Sequence, residues 1–301
     1  MRIFGIAKTR NFAFVLLAVF LCPCATLHAH PFLWQVTGEH NFYLFGTIHL
    51  PDPRVTNLSP EVEVALKSST SFYAELDLSE SNTMQITQSM WLPKHEMLHD
   101  LLPTPLKARV SDYLKNINPE LNLEFFAKQK IWVLAVTLTI LEQQLKYPGL
   151  PPLDRALYEQ AQNLGLKTGG LESVNDQLSI FESLTREQQI IFLKDTLEFL
   201  EEENVKGNGF VEQSLQAYLQ GDLDILMTHL MSYMKHEGFY ETLLDELIDK
   251  RNHKMTETIL SLVDEHPEEK FFFAVGAGHF WGETGINALL KERGYSIEVI
   301  D

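Results

Sequence analysis

Two stretches of this chain carry an apolar run into a glycine and set a histidine three residues beyond it. Phe42-Tyr43-Leu44-Phe45 leads into Gly46-Thr47-Ile48-His49, and Phe271-Phe272-Phe273-Ala274-Val275 leads into Gly276-Ala277-Gly278-His279. A glycine at such a step lets the chain turn sharply and aim the imidazole into the crevice at the carboxyl ends of the strands. Glu75 stands near the end of a third run, Ser71 to Leu76, and is expected at the same end of its strand. Two imidazoles and a carboxylate from three strand ends form a set that holds a divalent metal and leaves a position open for water, which is the equipment of metal-assisted hydrolysis. The plain alternative is that each histidine is a satisfied buried polar group. Repetition of the construction, with 230 positions between His49 and His279, argues for a shared purpose.

For the two histidines to meet, their strands must share a sheet. Residues 32–36 and 42–45 read as a hairpin about Gly38-Glu39. Ser59 is a helix N-cap with Pro60 in the first turn and Glu61 and Glu63 behind it, so a helix is expected to about Lys67, followed by the strand Ser71–Leu76. From about residue 84 the period becomes helical, with helices over about 104–116, 131–145, 153–164, 185–203, 210–220, 222–236 and 240–263 and a brief strand at 167–171. Thr185 and Gln188 form a capping box, and the 131–145 helix is apolar on all sides, as a core helix should be. After Pro267 the pattern returns to a strand at 271–275, a helix over about 283–293 and a strand at 296–300. The fold class is therefore α/β in the α+β sense. A central sheet comes from the N- and C-terminal segments, about 31–80 and 267–301, with a long helical insertion, about 84–265, in one domain over 30–301.

The first residues differ in kind. Arg2, Lys8 and Arg10 precede the uncharged apolar run 12–21, and Leu27-His28-Ala29 ends on a small residue, the pattern of a secretory signal peptide cleaved after Ala29. An exported protein is expected, periplasmic or secreted if bacterial, touching a membrane only through this segment if it is retained. Both cysteines, Cys22 and Cys24, fall inside the segment, which excludes a disulfide or thiolate metal site from the remainder. Cleavage takes 24 basic residues to 21 against 41 acidic ones, a net charge of −20. Such a balance argues against nucleic acid as a partner.

A rival zinc motif is present. His95-Glu96-Met97-Leu98-His99 matches H-E-x-x-H, in which histidines four apart on a helix bind zinc and the glutamate acts as base. Pro93 and Pro103 bound the stretch and leave little room for that helix, and no convincing third ligand follows, Glu120 and Glu124 being the candidates. No G-x-S-x-G elbow, Walker loop or G-x-G-x-x-G fingerprint occurs, and Gly169-Gly170 is too short for a phosphate loop.

With the two glycine–histidine steps standing together, the chain from about Phe42 to Ile300 resembles the TraB/GumN family, which includes the Tiki metalloproteases. The resemblance rests on Leu44–Leu50, Glu75 within Ala74–Leu78, Leu101-Leu102-Pro103, Leu153-Asp154, Gly170-Leu171-Glu172, Arg251-Asn252 and Ala274–Tyr295. It implies a divalent-metal hydrolase of the Tiki type, with His49, His279 and Glu75 at the site and Asp77, Asp154, Glu172 and Arg251 in supporting roles beside Gly46 and Gly276. It also implies manganese or cobalt as the activating metal, zinc being the other candidate, and a peptide or small molecule as substrate. Glu75 would be either third ligand or general base. A reading of a different class is a non-catalytic exported protein that sequesters a peptide or small ligand in the same crevice.

Overall fold

The hairpin forms where the two strand-forming runs and their turn place it: Leu33–Thr37 (β1) pairs antiparallel with Phe42–Thr47 (β2), Leu33 opposite Phe45 and Val36 opposite Phe42. The computed structural model describes residues 32–206, 209–232 and 238–300, so the expected signal segment, its two cysteines and the end of the 222–236 helix lie outside the described residues. After the hairpin come Ser71–Leu76 (β3), Lys167–Glu172 (β4), Phe271–Gly276 (β5) and Ser296–Val299 (β6). Among the described residues these strands form a mixed sheet in the order β4-β3-β5-β2-β1-β6.

The late strand β5 inserts between the two early strands β2 and β3 and runs parallel to both. A parallel strand covered on both faces needs a continuous apolar run rather than an alternating one, and Phe271, Phe272 and Phe273 are all fully buried. Phe272 stacks on Phe72 at 6.0 Å, and Phe273 meets Phe42 edge-on at 5.5 Å. Each such ring contributes about 1.5–3 kcal/mol on burial. Register keeps the strand ends level, Thr47 opposite Gly276 and Ala74 opposite Ala274.

The helix Pro60–Ser68, capped by Ser59 as the sequence suggests, links β2 to β3. The long insertion then builds a second apolar cluster apart from the one around the sheet, from the helices Thr104–Ile117, Ile131–Lys146 and Arg186–Lys206. Trp132 stacks on Phe181 at 4.8 Å within it, and the Thr185–Gln188 capping box starts the third of these helices. The insertion is not wholly helical, since it gives up β4 to the sheet edge. Gly169 and Gly170 serve that pairing: a Cβ on Gly170 would sit 2.3 Å from the Asp77 amide nitrogen, so the glycines permit close approach. The helix expected over 240–263 is broken into Phe239–Leu244, a π turn at Asp245–Asp249 and Lys250–Glu265. Such turns concentrate at functional sites, and this one ends two residues before Arg251. No helix among the described residues is long and apolar enough to cross a membrane.

Candidate metal centre

The insertion of β5 brings three strand ends side by side. His49 follows β2 by two residues, Glu75 is the penultimate residue of β3, and His279 rides on the short 3-10 turn Ala277–Phe280 after β5. The Nε2 atoms of His49 and His279 each lie 3.9 Å from the same atom, Glu75 Oε1.

Both imidazoles are oriented from behind. His49 Nδ1 lies 2.6 Å from Asp154 Oδ2, and the other oxygen of that carboxylate accepts from the Thr47 hydroxyl. His279 Nδ1 lies 2.6 Å from Asn252 Oδ1. The Asn252 amide donates its N–H to the Thr284 carbonyl at 2.9 Å, so its oxygen must accept and His279 Nδ1 must carry the proton. Each ring therefore has Nδ1 committed and turns Nε2 toward the glutamate, the orientation that outer partners impose on metal-binding histidines.

Both oxygens of Glu75 accept hydrogen bonds. Oε1 accepts the Gly276 N–H at 2.7 Å, while Oε2 accepts from Arg251 at 2.5 Å and from Gln177 at 3.1 Å. Arg251 also grips Glu172, through Nε at 3.0 Å and Nη2 at 2.5 Å, and donates Nη1 to the Leu247 carbonyl of the π turn. Burial works against the Glu75 carboxylate, but Arg251, the two imidazoles and the Gly276 amide outweigh it and hold its pKa well below the usual carboxylate range. Glu172 is pushed the other way by burial, against the pull of Arg251.

The histidines differ sharply. The Asp154 carboxylate raises the His49 pKa to about 9 against the opposing effect of desolvation, whereas burial lowers that of His279 to about 4. The His49 side chain is 64% exposed and that of His279 6%.

The donor set suits a divalent ion. Gly276 leaves the space such an ion would use: a Cβ there would stand 3.0 Å from Glu75 Oε1 and 3.5 Å from His49 Nε2. The set is wide, since among the described residues the group whose ligand atoms all lie within 4.8 Å of one another is instead His266, Glu268 and Glu269. Neither glycine of the two steps has a positive φ, so the expected dihedral role is corrected to one of space. Gly276 clears the centre of the cluster, and Gly46 admits Phe32, whose Cβ would lie 2.8 Å from an added Cβ. Tyr218 fixes the first step by donating its hydroxyl to the Gly46 carbonyl at 2.7 Å.

Of the other residues singled out, Asp154, Glu172 and Arg251 join the cluster through these contacts. Asp77 does not. Its carboxylate accepts from the Tyr158 hydroxyl and from the Ser79 amide at 3.1 Å, closing the loop after β3. His95 lies outside any helix and is 84% exposed, while His99 sits in the single turn Leu98–Leu101, so the H-E-x-x-H residues do not share a helix face. Asn252, Thr47 and Gln177 escape a reading by motif. Thr47 lies inside the first glycine–histidine step and Asn252 beside Arg251, but nothing in either position announces a hydrogen bond to histidine or its partner.

Comparison with known proteins adds relatives. The model of the TraB/PrgY/gumN family matches residues 32–299. The chain is 31% identical over 321 residues to metalloprotease TIKI2 of Danio rerio, an alignment covering 92% of this chain and 62% of that protein. It is 28% identical over 311 residues to metalloprotease TIKI1 of Homo sapiens, covering 89% and 61%. Against the uncharacterized protein YbaP of Escherichia coli it is 23% identical over 275 residues, covering 89% and 96%. The chain thus spans about three fifths of the length of the metalloprotease relatives. No solved structure matches it.

Proposed function

The chain belongs to the TraB/PrgY/gumN family, and on that premise we propose that it is an exported, divalent-metal-dependent hydrolase that cleaves peptide bonds, with His49, His279 and Glu75 holding the ion. The observation that carries the reading is the convergence of two imidazole Nε2 atoms, each with Nδ1 already committed, on one oxygen of Glu75 beside the space left by Gly276. Names of metalloprotease relatives over nearly the whole chain support it. Manganese, cobalt and zinc all accept this nitrogen and oxygen donor set.

An ion held there would supply Lewis acidity toward a peptide carbonyl and a water activated near neutral pH. The chain's own residues do the rest. Asp154 and Asn252 keep the rings pointing inward. Arg251 and Gln177 occupy Oε2 and the Gly276 amide occupies one side of Oε1, so Glu75 is fixed as a charged ligand and is poorly placed to take and release a proton.

The test is metal content and turnover in protein purified without a histidine tag. About one ion per chain is expected, lost in His49→Ala and His279→Ala, with metal-dependent cleavage of a peptide library. Unchanged metal content in both variants would overturn the reading. Retention of the ion and of peptide affinity without cleavage would favour a sequestering protein instead. Loss of metal on His95→Ala would point to the H-E-x-x-H stretch.

A further inference from the structure

A cavity of about 330 Å³ opens directly beside the cluster, with Gly276, His49, His279 and Arg251 on one side. Ile48, Leu50 and Ala277, within or next to the two glycine–histidine steps, adjoin them, and the remaining walls come from four separate elements of the helical insertion and are predominantly aliphatic or aromatic. Ile140 projects from the helix Ile131–Lys146, Phe210 and Val211 from Phe210–Leu219, Met227 from Leu223–Met231, and Ile248 from the π turn. At about 30 Å³ per water, the volume corresponds to about eleven water-sized groups, enough for one large side chain and too little for a folded segment.

The side-chain donors of the wall are mostly engaged. Arg251 gives four of its five N–H groups to Glu75, Glu172 and the Leu247 carbonyl, the Thr47 hydroxyl donates to Asp154, and the Thr139 hydroxyl donates to the Val136 carbonyl at 2.7 Å. Ser214 lines the cavity, but its Oγ is wholly buried and offers the cavity no accessible polar atom. The wall opposite the cluster therefore presents mainly apolar surface.

Resting on the hydrolase reading above, we propose that this cavity is a specificity pocket for one large apolar side chain of the peptide substrate next to the scissile bond. Phenylalanine, tryptophan, leucine and methionine bury apolar area against such walls, whereas alanine leaves most of the volume empty. Lysine is rejected, because its charge would be buried beside the Arg251 guanidinium.

The experiment is a set of fluorogenic peptides identical except at one position flanking the bond cleaved, assayed with the metal-loaded full chain, with metal content measured on the same preparation. Phenylalanine and tryptophan peptides are expected to exceed alanine peptides in kcat/KM by at least about tenfold and lysine peptides by more. Val211→Trp, which narrows the cavity, should reduce the phenylalanine-to-alanine ratio by at least about tenfold, and far-UV circular dichroism shows whether each variant is folded. Cleavage with a flat dependence on that side chain, or a preference for lysine, overturns the pocket while the hydrolase reading stands. Absence of both metal and cleavage overturns the hydrolase reading and the pocket together.

Discussion

The two glycine–histidine steps have the same spacing and follow parallel neighbouring strands, yet they deliver their imidazoles into opposite surroundings. His49 is largely exposed beside the Asp154 carboxylate, and its pKa rises to about 9. His279 is buried against the Asn252 amide, and its pKa falls to about 4. The partners come from different helices, Leu153–Asn163 for Asp154 and Lys250–Glu265 for Asn252. A local motif therefore places a ring, while the charge that ring carries is decided by whichever distant helix packs behind it.

The contrast can be broken at several points, and the buried side should fail hardest. Arg251→Met leaves Glu75 and Glu172 buried without their shared cation, and a loss of about 3–5 kcal/mol in urea unfolding is expected. A loss below 1 kcal/mol would mean that the two carboxylates are relieved by water or a neighbour.

Opposite pKa shifts imply opposite pH windows for the metal-free protein. The folded-state pKa of His279 lies below its ordinary 6.5, so the unfolded chain protonates first as pH falls. Its contribution is whole above pH 6.5 and is lost between there and about 4, roughly 3 kcal/mol in total. The folded-state pKa of His49 lies above 6.5, so its contribution is whole below that pH and disappears as pH rises through about 9. Solvent exposure makes this second effect small. Unfolding curves of His279→Gln should lack the acid-side decline, and those of His49→Gln the alkaline one.

The glycines offer a matched pair. Gly46→Ala drives a Cβ against Phe32 in the core and should destabilise by about 1–3 kcal/mol. Gly276→Ala intrudes instead on Glu75 and His49, so its main effect should be on metal content, with a smaller stability change. Equal effects of the two substitutions on both readouts would erase the distinction between a packing glycine and a site glycine.

The smallest effect sharpens the cause of the contrast. Asp154→Asn keeps the shape of the side chain and removes its charge. The NMR titration of His49 should then move down toward 6.5, with stability altered by less than about 1 kcal/mol. A His49 titration unmoved by this change would assign the raised pKa to Glu75 rather than Asp154.

Much of the architecture was legible in the sequence because its signals are local. Two short strand-forming runs about Gly38-Glu39 marked the hairpin, an unbroken apolar run marked the buried strand β5, and Ser59 and Thr185 marked helix starts by the hydrogen bonds their side chains make within one turn. The π turn at Asp245–Asp249 left no such mark, because the apolar spacing of Leu243, Leu244, Leu247 and Ile248 suits an uninterrupted helix equally well. Asp77 shows the limit for side chains. It lies two residues from Glu75, but the chain leaves the strand there and Tyr158 takes its carboxylate. Ser214 and the cavity are built from elements whose packing no periodicity encodes.

By itself, the sequence determined which residue types stand at strand ends: His49 and His279 after their glycines, and Glu75 near the end of Ser71–Leu76. Only the tertiary structure decided that β5 enters between β2 and β3, that Glu75 Oε1 faces both imidazoles, and that one ring is exposed beside a carboxylate while the other is buried beside an amide. The reason is physical. Strand and cap propensities act over a few residues, whereas strand order and the electrostatics of a buried cluster depend on contacts between segments more than 200 residues apart, such as Gly276 and Glu75.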